Sequence, residues 1–470
     1  MKIKIVLREM GMLLWLLLVF STATLYGDSW SIQASSAPLF TSSNTAAEFD
    51  LFLTPNTDTG AVLATWSDGN NSEIAVYSFF DGTSWSGPDT ISSAAHVALD
   101  VVASYNSVNK TFIATWSDTA ITPEAFFSIY ANGAWSVAEA IPGSVTNTGR
   151  QVYNVYDVKR NLFWAAWRDD TTGFPVAGTY DSSWQVAPIT NSSTSGGSVF
   201  LASDGSGSIL AVWVDNVSLE AMYSIYNGSW SSASPIATTA LPLGEVTACY
   251  DSLRGEFVAV WVDSTTFFPT YAFLQGSTWS PLATIPNDNP SLGATGTVSL
   301  SFAPTSGVLL ATWTSNMSGN PTYALFNNMS WSDPASITTS SITFMGFNTR
   351  SCYNPVTNKF FAGWNSSMGR APTYSIYTVL QPVIPMSLGG TQKVNNFGIV
   401  KERYNTLFWE ADPTVTSYTL YRNGEWIATL DGASASYEDH NQPSSSEVYQ
   451  LIAFKGALAS PPASVTIGAK

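Results

Sequence analysis

The 470-residue chain has a formal net charge of −16, and only 11% of its residues are charged. A surface that binds nucleic acid needs clustered lysine and arginine, so we expect no nucleic-acid partner. Solubility must come from the abundant Ser, Thr, Asn and Gly, a composition that suits exposed β-turns and strand edges.

Residues 1–27 have the layout of a secretory signal peptide. Three basic residues precede an apolar run from Met10 to Phe20, and small or polar residues follow. The run is shorter than the about 20 residues that cross a bilayer, which weighs against the alternative of an uncleaved anchor. We therefore expect an exported protein, either secreted or located in the periplasm or at the cell surface, with no membrane span after signal cleavage.

A sevenfold repeat follows this segment. Segments such as VLATW, FIATW and FVAVW end in tryptophan at intervals of 46 to 52 residues, with an alanine two residues earlier and, four residues earlier, a large apolar residue. These repeat tryptophans are Trp66, Trp116, Trp167, Trp213, Trp261, Trp313 and Trp364. Because side chains alternate faces along a strand, the large, small and large residues share one face of a β-strand.

Further alternating stretches and turn-rich joints accompany each such strand, which gives four short strands in about 50 residues. That is the signature of a propeller blade. Alanine permits the close approach of neighbouring blades near the axis, and tryptophan fills the wider space outside it. The sequence therefore predicts an all-β protein whose residues 28–381 form a seven-bladed β-propeller.

An outer Trp-Ser pair closes each repeat except the seventh. It occurs at Trp85, Trp135, Trp230, Trp279 and Trp331, with Trp184-Gln185 as a variant. The missing copy stands before the first repeat, as Trp30-Ser31. We expect this N-terminal strand to complete the seventh blade and close the ring. Cys249 and Cys352 occupy equivalent positions in repeats that are not neighbours, so we expect two buried thiols and no disulfide.

Residues 382–470 lie beyond the repeat, and the stretch from 402 to 454 resembles a fibronectin type III domain. The resemblance rests on Trp409, on Tyr418 or Tyr421, and on Tyr449. It implies a small β-sandwich with a core tryptophan on the second strand, a tyrosine on the third and a tyrosine-corner residue. An unrelated β-sandwich is the alternative.

The most regular polar feature is an aspartate two residues after the repeat tryptophan. It occurs as Asp68, Asp118, Asp169, Asp215 and Asp263, with Ser315 and Ser366 in the last two repeats. These side chains should form an incomplete ring on one face of the propeller. Each carboxylate either caps the following turn or contributes to a ligand site, and repetition in many blades favours the cap.

Departures from the repeat are the other candidates for a site. The third repeat alone has Trp164 and Arg168 beside its repeat tryptophan, and Arg150 and Arg350 are unusual in a chain so poor in basic residues. Arginine near aromatic rings can hold a carboxylate or stack on a sugar face. Ordinary exposure of these side chains is the simpler interpretation.

Signs of catalysis are few. The two histidines, His96 and His440, have no metal-binding or nucleophile motif beside them, and we expect no metal and no cofactor. The segment from Ser78 to Trp85 is similar to the Asp-box of sialidases, but it lacks the residue between Asp and Gly. We predict noncatalytic recognition of an extracellular glycan or protein by a propeller face. The alternative is a carbohydrate-active enzyme, a hydrolase or lyase, that uses propeller carboxylates.

Overall fold

The computed structural model describes residues 37–38, 51–93, 96–120, 124–144, 151–286, 294–316, 318–327, 330–338, 347–366, 371–378, 386–412, 415–455, 458–460 and 462–468. Within these ranges the regular structure is β-strand, and no α-helix occurs. Accordingly, no helix there is long and apolar enough to cross a membrane. Contacts divide the chain into two compact units, one formed by Trp30–Val379 and one that contains Leu380–Lys470.

The first unit contains, in its described part, seven antiparallel sheets, numbered here in chain order. Strand β1 (Ala37–Pro38) belongs to the last of them. Sheet 1 comprises β2 (Phe52–Pro55), β3 (Val62–Asp68), β4 (Ile74–Phe80) and β5 (Asp89–Thr90). Sheet 2 comprises β6 (Ala98–Asn106), β7 (Thr111–Asp118), β8 (Glu124–Ala131), β9 (Ala134–Trp135) and β10 (Glu139–Ala140). Sheet 3 comprises β11 (Tyr153–Asp157), β12 (Leu162–Arg168), β13 (Pro175–Tyr180) and β14 (Trp184–Pro188).

Sheets 4 to 7 repeat this order. Sheet 4 comprises β15 (Ser195–Ser203), β16 (Ile209–Asp215), β17 (Ala221–Tyr226) and β18 (Ser234–Ala237). Sheet 5 comprises β19 (Thr247–Asp251), β20 (Glu256–Val262), β21 (Pro269–Gln275), β22 (Thr278–Trp279) and β23 (Ala283–Thr284). Sheet 6 comprises β24 (Ala294–Ala303), β25 (Val308–Ser315), β26 (Pro321–Asn327), β27 (Ser330–Trp331) and β28 (Ala335–Ser336). Sheet 7 comprises β29 (Phe347–Asn354), β30 (Lys359–Ser366), β31 (Ala371–Thr378) and β1.

The sheets are arranged around an axis as a β-propeller. The first strand of each sheet neighbours the first strand of the next, and β29 of sheet 7 neighbours β2 of sheet 1. First strands therefore line the axis, and the later strands of each sheet lie progressively further out. The prediction of an all-β chain with a propeller is confirmed.

The repeat tryptophans are buried between neighbouring sheets. Between sheets 1 and 2, for example, Leu63 of β3 packs in one cluster with Phe112, Ala114 and Trp116 of β7. The alanine is fully buried at this position, as the predicted close approach requires. Each second strand thus presents one face to the sheet before it and the other to the sheet after it.

The same kind of contact joins the last sheet to the first. Phe361 of β30 lies in one hydrophobic cluster with Ala64 and Trp66, and its ring centroid is 5.5 Å from that of Phe80. A Cβ atom on Gly363 would lie 2.9 Å from the Leu51 side chain, so a larger residue would force Leu51 to shift where sheets 7 and 1 approach closely. On the outer side, β1 pairs with β31. The predicted pair Trp30-Ser31 lies outside the described residues.

The serine of the outer Trp-Ser pair bonds to the third strand at the point where the fourth strand is interrupted. Ser136 donates its backbone N–H to the carbonyl of Ile129 at 2.8 Å, and its hydroxyl accepts the Ile129 N–H at 3.0 Å. The side chain thus replaces a backbone acceptor of the ladder, and the outer strand divides into β9 and β10. Sheet 3 has Gln185 at this position, and β14 pairs with β13 without a break.

Sheet 3 also explains the unusual Trp164. Its third strand has Ala177 where the other sheets have an aromatic residue, namely Tyr77, Phe127, Tyr223, Tyr271, Tyr323 and Tyr374. In most of those sheets the aromatic residue contacts the outer tryptophan of the next sheet, as Tyr77 contacts Trp135 at 5.6 Å. Trp164 takes that place in sheet 3, with its ring centroid 5.7 Å from that of Trp230. This departure from the repeat therefore conserves packing.

The C-terminal unit has two antiparallel sheets in its described part. One comprises β32 (Met386–Asn396), β33 (Lys401–Glu410) and β36 (Ser436–Asp439). The other comprises β34 (Ser417–Arg422), β35 (Glu425–Asp431), β37 (Glu447–Lys455), β38 (Leu458–Ala459) and β39 (Ala463–Ile467).

The two C-terminal sheets share one hydrophobic core. It contains Trp409 of β33, Tyr418 of β34 and Tyr449 of β37. Of the two candidate tyrosines on the third strand, Tyr418 is buried and Tyr421 is partly exposed. The Tyr449 hydroxyl donates to Asp439 Oδ2 at 2.8 Å and accepts from a buried amide, so both sheets are tied to it.

Both cysteines are free thiols. Cys352 is buried between sheets 7 and 1, whereas Cys249 is partly exposed and packs at the edge of the cluster between sheets 5 and 6. Burial raises the pKa of both thiols, which makes them poor nucleophiles.

We predict unequal roles for the two rings of tryptophans. Replacing Trp213 with alanine should lower the free energy of unfolding by about 3–5 kcal/mol, because a fully buried indole is lost together with its bond to Ser193 Oγ. Replacing Trp230, which is partly exposed, should cost clearly less. Urea denaturation of both variants measures the difference, and equal losses would contradict this assignment of inner and outer positions.

Candidate axial site

One position of each first strand faces the axis. The residue at this position pairs with the second-strand residue that immediately precedes the repeat tryptophan. In sheets 1 to 7 it is, in order, Phe52, Val102, Tyr153, Phe200, Thr247, Ser299 and Arg350. Four of these, from sheets 1 to 4, form an apolar cluster of their own. Arg350 is the charged member of the layer, and its guanidinium lies 4.9 Å from the ring centroid of Phe52.

A polar network surrounds the Arg350 guanidinium. Nη2 of Arg350 donates to Glu245 Oε2 at 2.9 Å and to the Tyr153 hydroxyl at 2.8 Å. Tyr153 donates to the same carboxylate oxygen at 2.9 Å, and Thr297 does so at 3.1 Å. Ser198 donates to the other oxygen, Oε1, at 2.6 Å. We call these five residues, which come from sheets 3 to 7, the axial cluster.

The carboxylate of the axial cluster is held in its ionised form. Burial acts to raise the pKa of Glu245, but the Arg350 guanidinium and the hydrogen bonds from Ser198 and Tyr153 outweigh it and lower the pKa below its usual value. Only 4% of Arg350 is exposed, so the ion pair is screened little by solvent. A buried pair of this kind gives a strong penalty when one partner is removed.

The axial cluster lies towards one face of the propeller, which we call the entry face. First strands begin there and second strands end there, because neighbouring strands run antiparallel. The ring of aspartates stands at the same ends of the second strands and therefore belongs to this face. Arg168 is also there, with its Nε 3.0 Å from Asp170 Oδ1. Arg150 lies outside the described residues.

The aspartates of the ring cap turns. Each accepts the backbone N–H of the residue two positions later, at 2.9 to 3.1 Å, and the five acceptors are Asp68, Asp118, Asp169, Asp215 and Asp263. Asp215 also accepts from Ser193 and Thr194, and the N–H of Ser218 completes its cap. Burial acts to raise the pKa of Asp215, but these bonds lower it overall. The capping interpretation accounts for these contacts.

The capped turns carry a left-handed residue four positions after the aspartate. This position holds Gly173 in sheet 3 and, after Ser315, Gly319 in sheet 6, both with positive φ. Sheet 1 has Ser72 (φ 56°) there, and sheets 4 and 5 have the bulkier Leu219 (φ 60°) and Phe267 (φ 61°). Left-handed backbone is unfavourable for such side chains, and glycine is the usual solution.

These two strained residues are exposed. The exposed fraction is 52% for Leu219 and 41% for Phe267. Val217 in the same turn of sheet 4 is also exposed, as is Leu243, whose N–H bonds to the Val262 carbonyl at the end of β20. We call these four residues of neighbouring sheets the rim patch.

The remaining sequence candidates have local partners. Asp81 of the segment that is similar to an Asp-box accepts the N–H groups of Ser84 and Thr83 at 2.9 and 2.8 Å, and hydrogen bonds to these residues lower its pKa to about 2. His96 bonds to Asp118 through Nδ1, and His440 bonds to Glu402 at 2.8 Å. No cluster of potential metal ligands occurs among the described residues.

Arg350 is conspicuous in the sequence, whereas Glu245 is not. Alignment on the repeat tryptophans could have found it, because Glu245 and Thr297 both stand 16 residues before their tryptophans, two residues before the axial position. The residue type at that position varies between repeats, so no motif draws attention to it.

Comparisons with known proteins assign no family. No protein-family model matches the chain, and no curated protein matches it. A Hadza microbial sialidase, Hz136, is similar in structure at 10% identity over 72% of this chain, with a TM-score of 0.44, and the chain covers 66% of its length. The extracellular domain of a putative hybrid two-component system, BT3049 of B. thetaiotaomicron, is similar at 10% identity over 92% of this chain and 57% of its own, with a TM-score of 0.47.

A fungal lectin from Aleuria aurantia, described as a six-bladed β-propeller with a novel fucose recognition mode, is similar at 9% identity. The match covers 62% of this chain and 96% of the lectin, with a TM-score of 0.44. Similarity at this level carries no information about ligand or reaction, which must come from the residues themselves.

The axial ion pair gives a pH-dependent prediction. Replacing Glu245 with glutamine removes the carboxylate that pairs with the buried Arg350 guanidinium and should cost about 3–5 kcal/mol at neutral pH. Because the pKa of folded Glu245 is lowered from its usual 4.5, its contribution is complete above that pH and is lost as the pH falls below it. Urea denaturation at neutral and acid pH should therefore show a gap between wild type and variant that narrows in acid.

A double variant serves as the control for this experiment. Replacing Arg350 with methionine in the Glu245→Gln background also removes the buried positive charge and should recover part of the loss. The role given to the pair would be contradicted if wild type and Glu245→Gln differed in free energy of unfolding by the same amount at both pH values. It would also be contradicted if the double variant lost the sum of the free energies lost by the two single variants.

Proposed function

We propose that the protein is an exported, noncatalytic binding protein that recognises an extracellular glycan or protein with the entry face of its propeller. The observation that carries the proposal is the rim patch. At an equivalent turn position sheets 3 and 6 use glycine, whereas sheets 4 and 5 hold Leu219 and Phe267 in a strained backbone and expose them. Strain of about 1–3 kcal/mol at an exposed residue is typical of functional surfaces.

Two exposed apolar residues on the opposite face have a different explanation. Leu253 and Val356 stand in turns between first and second strands, and each packs against a glycine in the corresponding turn of the next sheet. Leu253 lies beside Gly307 and Val356 beside Gly60. Those residues contribute to packing between sheets, which leaves the entry face as the better candidate for binding.

The geometry of the axial cluster favours binding over catalysis. A glycosidase of the common type needs two carboxyl groups about 5–9.5 Å apart, one of them a general acid with a raised pKa. The pKa of Glu245 is lowered, and the groups that contact its oxygens are hydroxyl and guanidinium groups. A carbohydrate-active enzyme remains the second candidate, with buried Asp100 as the other acid near the start of a first strand.

The proposed architecture places this face in an exported protein with two domains. Residues 1–27 would be a signal peptide, 28–381 a seven-bladed propeller closed by an N-terminal strand, and 382–470 a fibronectin type III-like sandwich. Pairing of β1 with β31 supports the closure, and the core positions of Trp409, Tyr418 and Tyr449 support the second domain. The net charge of −16 favours a neutral or cationic ligand over an anionic one for the propeller face.

Replacing Phe267 with glycine should separate binding from stability. Glycine relieves the left-handed strain, so the free energy of unfolding should stay the same or rise by up to about 1 kcal/mol. Affinity for the ligand should fall about tenfold or more, because an exposed aromatic contact is lost. Screening the mature chain against a glycan panel and chromogenic glycosides identifies the ligand for the affinity measurement. Thermal melting measures the stability of the variant.

Leu253→Ala is the matched control, since it removes an exposed apolar side chain of the same sheet on the opposite face. It should leave affinity unchanged. Turnover of a glycoside that disappears in Glu245→Gln or Asp100→Asn would establish the enzyme instead. Absence of glycan retention would exclude the glycan arm of the proposal and leave a protein partner, whereas retention unaffected by Phe267→Gly would refute the rim patch.

A further inference from the structure

The hairpin between β32 and β33 ends in a cluster of exposed apolar side chains. Its tip consists of Phe397, Gly398, Ile399 and Val400, closed by a bond from the Phe397 N–H to the Val400 carbonyl at 2.8 Å. The side chain of Ile399 is fully exposed, and Phe397 is 67% exposed. Three neighbouring bulky apolar residues at the tip of a strand pair have no packing role within the domain.

The tip projects beyond the sheet that carries it. Strand β33 pairs with β36 from Asn405 to Phe408, and one further bond joins the Gln442 N–H to the Arg403 carbonyl at 2.8 Å. From there to the tip the structure is a two-stranded ribbon, with Asn396 opposite Lys401 as its last pair. The apolar surface is therefore convex. It protrudes furthest at this end of the hairpin and would contact a flat surface first.

Basic residues surround the base of the tip. Lys393, Lys401 and Arg403 are exposed there, whereas Glu402 is partly buried and bonded to His440. This concentration of positive charge stands out in a chain of net charge −16. An apolar tip above a basic collar is the arrangement that fits an anionic lipid surface, with the tip at the acyl boundary and the lysines at the head groups.

We propose that this hairpin is a lipid-surface anchor, in which Phe397, Ile399 and Val400 insert into the interface of an anionic membrane and Lys393 and Lys401 contact its head groups. The proposal does not depend on the function assigned to the propeller. A protein groove would require a concave partner that matches a convex tip, whereas a bilayer needs no such complement. The insertion is shallow and differs from a membrane span.

Vesicle flotation with the full mature chain tests the proposal. Wild type should bind vesicles of phosphatidylcholine mixed with phosphatidylserine and bind phosphatidylcholine vesicles much more weakly. The variant Phe397→Ser/Ile399→Ser/Val400→Ser should lose about tenfold or more of the partition coefficient, because the inserted apolar area is removed. Lys393→Gln/Lys401→Gln should reduce the preference for anionic vesicles and its dependence on salt.

Trp426→Ala is the control, since Trp426 is an exposed aromatic residue on the other sheet of the same domain. It should bind like wild type, and a loss equal to that of the triple variant would refute the proposal by revealing nonspecific adhesion. Failure of wild type to float with anionic vesicles would refute it as well.

A second measurement guards against misfolding of the triple variant. Ile399→Cys can be labelled with a polarity-sensitive dye, because Cys352 is buried and burial raises the pKa of both native thiols. A blue shift and quenching by lipid-borne quenchers on anionic vesicles support insertion. An unchanged spectrum in protein that floats with the vesicles would show that another surface binds.

Discussion

The structure of the propeller depends on the burial of both faces of every second strand. A sheet of four short strands cannot form a core alone, so each one is stabilised by the sheets before and after it. The large residue, the alanine and the tryptophan of each second strand together set the distance between sheets. The small alanine lets the adjacent sheet approach closely at a point where a larger side chain would keep the two sheets apart. The first and last sheets need the same contact, and Gly363 against Leu51 shows how closely they approach.

Differences between the sheets preserve the volume that fills each interface more strictly than they preserve the strand that supplies the side chain. Ala177 of sheet 3 removes an aromatic ring from the interface with sheet 4, and Trp164 restores one from a different strand. Gly178 then accommodates Trp184, whose ring would lie 3.0 Å from a Cβ atom at that position. A sequence feature that suggested a binding site is thus explained by packing density, which interiors conserve closely.

The repeat predicted the all-β class and the second strands because those depend on local alternation of side chains, which period two reveals directly. It also favoured the capping role of the aspartates, since a turn motif needs only neighbouring residues. The axial cluster could not be predicted in the same way. Glu245 meets Arg350 only because strands 105 residues apart converge on the axis, and the partners Tyr153, Ser198 and Thr297 come from three further sheets. Arg350 is conspicuous because basic residues are rare in this chain, but nothing in the sequence near Glu245 indicates that it is the partner of Arg350.

The turns of the entry face show where function can change without loss of the fold. In sheets 3 and 5 the carbonyl of the left-handed residue accepts the backbone N–H at the start of the next first strand, from Ser195 to Gly173 and from Ala294 to Phe267, both at 2.7 Å. This bond requires the backbone conformation whatever the side chain. A bulky residue there costs some strain, but the Leu219 and Phe267 side chains are exposed and lie outside the hydrophobic clusters between sheets. Sheets 4 and 5 can therefore differ from sheets 3 and 6 at this position, because the ring is stabilised by the buried strands and not by the turn side chains.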